Sequence, residues 1–85
     1  MILIIFRMKR HKDQHAHLLE LLRQIRAEAG LRQVDLAKRL RQPQSFVSKY
    51  ESGERRLDLL ELQQVCFAVG ISLVEFAKRF ESEGS

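Results

Sequence analysis

Gln44, Ser45, Phe46, Ser48 and Lys49 lie within six consecutive positions and fall on the outer face of what reads as a helix of about residues 44–51. Hydroxyl and carboxamide groups hydrogen-bond to base edges, and a lysine amine meets a phosphate or a guanine. This is the chemistry of recognition, not of bond breaking. The chain has no phosphate-cradling glycine loop, no metal-ligand set and no nucleophile with a base beside it, so no enzyme activity is expected. His11, His15 and His17 come close together, but no carboxylate or thiol joins them in a ligand pattern. Neither a metal nor a cofactor is expected.

Two short helices and a tight corner must present those side chains. The stretch Gln33 to Gly53 supplies them, with a first helix over about 33–41 and a second over about 44–51. Leu36 and Leu40 share one face of the first, and Val47 and Tyr50 share one face of the second. Ala37 is small enough to let another helix cross close above it. Pro43 sits in the corner, where it cannot continue one helix but can open the next. This is a helix-turn-helix pattern, and it makes double-stranded DNA the expected partner.

The flanking segments also carry helical spacing. Asp13 is an N-cap candidate for a helix whose stripe is Leu18, Leu21, Leu22, Ile25 and Ala29, with Gly30 as its stop. Arg26 lies on or beside that stripe, so it calls for a partner. Ser52 to Arg56 forms a loop in which Arg55 and Arg56 are either a clamp on the DNA backbone or a free surface. A fourth helix follows over about Leu59 to Val69, capped by Asp58 and ended by Gly70. Ser72 and Glu75 form a capping box for a fifth, whose apolar face is Leu73, Phe76, Ala77 and Phe80. Residues 81–85 read as a fraying polar tail. Cys66 has core spacing, and Phe46 points either to a thymine methyl or back onto the core.

Eighty-five residues suit one domain, here 13–80, preceded by an arm over 1–12. One cysteine excludes an internal disulfide and a thiolate zinc site, which fits a reducing, cytoplasmic setting. Charge is uneven. Residues 1–13 carry +3, residues 14–31 balance, residues 32–56 carry +4 and residues 57–85 carry −3. A polyanion would approach the arm and the helix-turn-helix and avoid the C-terminal end. The arm opens with MILIIF, which has strand composition but no second strand to pair with. Three readings stand for it: a leader ahead of a start at Met8, an apolar plug on the domain, or a strand pairing with its copy across a two-fold. It is too short to span a bilayer, and no membrane is expected. The basic run Arg7 to Lys12 either follows DNA or is a solvated tail.

Residues 16–80 resemble the phage repressor and Cro type of helix-turn-helix domain, the XRE family. The likeness rests on Gly30-Leu31 before Gln33, then Leu36-Ala37, Leu40, Gln44-Ser45, Val47-Ser48, Tyr50-Glu51 and Gly53. PQSFVSKYESGERRLD looks like a subgroup of small bacterial regulators. The resemblance implies an all-α fold, a five-helix lambda-repressor-like domain, acting as a homodimer on a palindromic operator. It implies that Gln33 holds a phosphate and that Gln44 pairs with an adenine. Ser45, Ser48 and Lys49 match positions that reach bases or the adjoining backbone. Arg26 and Glu51 match a partly buried ion pair between the first helix and the recognition helix. Three residues depart from the pattern. Arg41 replaces the usual corner glycine, Gln42 follows where an apolar residue is usual, and Arg32 replaces the usual threonine or serine cap. Arg41 is either strained in a left-handed conformation or part of a corner rebuilt around Pro43, turned outward to a phosphate. The function implied is a transcriptional regulator of the repressor kind. The alternative is an antitoxin or adaptor whose main partner is a protein, docked on the acidic end and the apolar arm.

Overall fold

The computed structural model describes residues 11–83, and every regular element among them is helical. They are α1 (His11–Glu28), α2 (Gln33–Leu40), α3 (Gln44–Ser52), α4 (Leu59–Val69) and α5 (Leu73–Glu83). The expected strand over Met1–Phe6 and most of the basic arm lie outside the described residues.

All five helices contribute to one core. Leu21, Leu22 and Ile25 of α1 meet Leu36 and Ala37 of α2, Val47 and Tyr50 of α3, Val65 and Cys66 of α4, and Phe76 of α5. Each is no more than 2% exposed. Fully burying a side chain of the size of Leu, Val or Phe contributes roughly 1.5–3 kcal/mol. α3 packs on both α1 and α2, and α4 packs under α2 and against α5. α3 therefore rests on two other helices while its far side stays open.

Several boundaries differ from the sequence-based expectation, each for a local reason. α1 already includes His11 and Lys12, so Asp13 lies in its first turn and is not the residue before it. A carboxylate there still favours the positive end of the helix. Ala29 is exposed, because α1 stops at Glu28 and the chain turns through Gly30. Ala77 is likewise exposed on α5. α5 runs through the expected tail to Glu83, where Arg79 bonds both Glu83 and Glu28 of α1.

Three helix ends close in the same way. After α1, Gly30 donates to Ala27 and Leu31 to Arg26; after α4, Gly70 donates to Phe67 and Ile71 to Cys66. After α2, Arg41 donates to Lys38 and Gln42 to Ala37. Each turn needs one left-handed residue. Gly30 and Gly70 adopt it freely, whereas Arg41 does so with a side chain, at φ 56° and ψ 42°. The corner thus keeps the left-handed turn, and Pro43 simply precedes α3 in extended conformation.

Candidate nucleic-acid interface

α3 divides cleanly into two sides. Val47, Tyr50 and Glu51 face inward and are buried. Gln44, Ser45 and Lys49 are exposed on the other side, and Ser48 is half-buried beside them. Spacings of three and four place these four residues on one contiguous face. The Ser48 hydroxyl donates to the Ser45 carbonyl at 3.3 Å, a bond within its own helix. No side-chain partner appears among the described residues for Gln44, Ser45 or Lys49.

Phe46 takes the inward of its two possible placements. Its ring is partly buried against the core and meets Tyr50 edge-on at 5.6 Å. The Arg55 guanidinium covers it at 4.7 Å from the ring centre. Arg55 also forms a fork with Glu61, at 2.6 and 3.2 Å, and its own N–H donates to the Lys49 carbonyl. Glu61 holds the Arg55 charge above its ordinary pKa, chiefly through that hydrogen bond. Arg55 is therefore tied to α3 and α4 at once. Arg56 is exposed and has no side-chain partner among the described residues.

Glu51 is the anchor behind the face. Its carboxylate is 3% exposed and accepts from Arg26 Nε at 2.7 Å and Nη2 at 3.0 Å. Gln33 Nε2 donates to the same carboxylate at 3.1 Å. Arg26 Nη1 continues to the Leu31 carbonyl. One carboxylate thus joins α1, α2 and α3. Removing one partner of a buried pair typically costs about 3–5 kcal/mol. Arg26 keeps 18% of its side chain exposed, which places this pair toward the low end. The Gln33 amide nitrogen carries two N–H groups, and Glu51 takes only one.

Four features here were not foreseen from the sequence. Arg23 Nη1 donates to the Glu51 main-chain carbonyl at 2.7 Å. Its acceptor is a main-chain atom, which no sequence pattern announces. Arg32, in place of a cap, is bound through both its main chain and its guanidinium by Asp35. His17 stacks on Phe80 at 4.9 Å and bonds its carbonyl, closing α1 onto α5. The Tyr50 hydroxyl is buried without a hydrogen-bond partner among the described residues, and burial pushes its pKa well up. No periodicity announces such a group.

An inner face anchored by Glu51 and an open outer face of Gln44, Ser45 and Lys49 define a helix-turn-helix domain. The helix-turn-helix family model matches residues 22–76. Among solved structures, an XRE-family like protein from Pseudomonas syringae pv. tomato str. DC3000 is similar, with 41% identity and a TM-score of 0.80 over 86% of this chain and 89% of that one. The clp gene regulator ClgR from C. glutamicum is similar with 25% identity and a TM-score of 0.72, over 85% and 92% of the two chains. No curated protein matches in sequence. The chain belongs to the XRE-type helix-turn-helix family. It is on that ground a DNA-binding transcriptional regulator, of a class typically without catalysis. Among the described residues, no single helix is long and apolar enough to cross a membrane.

Proposed function

We propose that the chain is a sequence-specific repressor that reads double-stranded DNA in the major groove as a homodimer on a palindromic operator. The observation that carries this reading is the open face of α3, where Gln44, Ser45 and Lys49 are exposed while the rest of the helix is locked inward. Gln44 stands at the helix start, where docked recognition helices touch base edges. Ser45, Ser48 and Lys49 extend the face, Ser48 exchanging its internal bond for a base or backbone contact. Phe46 borders the face and offers the uncovered part of its ring to a thymine methyl.

Phosphate contacts flank the face. The second N–H of Gln33 and the start of α2 hold one phosphate. Arg41 and Arg56 reach the backbone on either side, and Arg55 joins them by yielding its bonds to Glu61. The homodimer is supported by Leu59, Leu60, Phe67 and Val74, which are 64–85% exposed on α4 and α5. Large exposed apolar side chains of this kind mark contact surfaces. A two-fold dimer would set two recognition helices about 34–36 Å apart on DNA. Such a domain acts most simply by occupying its site.

Gln44→Ala tests the reading. Binding to a duplex enriched from random DNA by the native protein should weaken by ~1–3 kcal/mol, with discrimination lost at one base pair. An equal loss on all four base pairs at that position would count against base reading by Gln44.

A further inference from the structure

The last turn of α3 is gripped by a residue outside the helix-turn-helix. Lys49 and Tyr50 have their carbonyls closed locally, by the N–H groups of Arg55 and Gly53. The Glu51 carbonyl is closed from another element, by Arg23 of α1 at 2.7 Å. Such end-of-helix carbonyls have no partner within their own helix. They also form its negative pole, which a guanidinium suits. Arg26, one turn further along α1, takes the carboxylate of the same Glu51. The Arg26–Glu51 pair ends on rotatable side-chain bonds. The Arg23 bond to the backbone adds a constraint on the last turn of α3 that does not pass through them. Glu20 holds the other arm of the Arg23 fork at 2.8 Å, so two partners set the plane of the guanidinium.

We propose that Arg23 is a positioning residue for DNA reading, fixing the pitch of α3 against α1 so that Gln44, Ser45 and Lys49 enter the groove at one angle. The proposal rests on the DNA reading given above. Arg23 is not among the core residues, and its pair with Glu20 is exposed, at 42% and 68% of the two side chains. Exposed pairs contribute little to stability. Its contribution is to the angle of one helix.

Native protein, Arg23→Ala and Arg23→Lys are compared on the enriched duplex and on a scrambled duplex, over a salt series, at a temperature where all three are folded. Arg23→Ala should lose about tenfold in preference for the enriched duplex, the scale of one charge-assisted hydrogen bond. Its affinity for the scrambled duplex and its salt slope should not change. Hydrogen exchange at the last-turn amides of α3 should quicken without DNA. Arg23→Lys keeps one donor and should recover part of the preference. An unchanged preference would overturn the proposal and leave Arg23 a structural contact. So would an equal loss on both duplexes with the salt slope reduced by about one, which marks a phosphate contact. If the native protein enriches no sequence at all, the DNA reading itself fails, while the exchange rates still report whether Arg23 holds α3.

Discussion

At the residue scale, side chains in this chain often work from an unexpected partner. The missing cap before α2 is an example. Arg32 has no acceptor to offer the free N–H groups of the helix start, and its place in the sequence suggested a lost interaction. Asp35, three residues on, reverses the arrangement. Its carboxylate accepts the Arg32 main-chain N–H at 2.9 Å and both arms of the Arg32 guanidinium at 2.9 and 3.0 Å. The side-chain bond first, and the main-chain bond second, pull the Asp35 pKa down to about 2. A folded-state value below the unfolded one, near 3.9, sets the sign. The interaction stabilises fully above the unfolded value and is lost as pH falls through about 2. An NMR titration of the Asp35 carboxyl carbon should give a midpoint near 2. A midpoint near 3.9 would show that Arg32 does not hold it. Arg26 was legible at this scale, because a cation on an apolar stripe requires a partner. Arg23 was not, since its acceptor is a backbone atom that carries no sequence signal.

At the scale of elements, the pattern of apolar spacings and stops was sufficient for five helices in order, because each buries one stripe and ends at a recognisable residue. What it could not resolve was the corner between α2 and α3. A turn after a helix requires a left-handed residue, and Arg41 supplies it at φ 56°. The second weakness is the next residue. Leu31 and Ile71 follow the corresponding glycines and are partly buried against the core, whereas Gln42 is exposed. The corner is thus held by backbone bonds without the usual apolar contact. Arg41→Gly should relieve about 1 kcal/mol of backbone strain, net of the extra freedom glycine gives the unfolded chain. Chemical denaturation should show a higher midpoint with an unchanged slope. The same variant should bind DNA more weakly and with a salt slope smaller by about one, the change expected if the proposed Arg41 phosphate contact is lost. A stability gain with an unaltered salt slope would remove Arg41 from the interface.

At the scale of the whole molecule, charge is unevenly spread along the chain. The basic balance of residues 32–56 lies in the helix-turn-helix, and the acidic balance of residues 57–85 lies in α4, α5 and the C-terminal end. A polyanion is drawn to the first stretch more than to the second. Leu60 and Phe67 are spaced seven apart along α4 and are 70% and 85% exposed. That spacing sets them on one face of the helix. Gln63 and Gln64 lie between them, in a groove that Phe67 shares with Arg39, Leu40, Arg41 and Ala68. In the proposed two-fold dimer this exposed apolar pair meets the same surface on the partner. Phe67→Glu would set two carboxylates against each other there. Sedimentation should show the native protein as a dimer and this variant as a monomer, with helical content retained. Operator binding should then fall by roughly tenfold or more, because two half-sites no longer bind as one unit. Deleting Met1 to Arg7 should leave both folding and the dimer intact. If the deletion gives monomers while Phe67→Glu stays dimeric, the dimer contact belongs to the arm, and the face of α4 is open to a different protein.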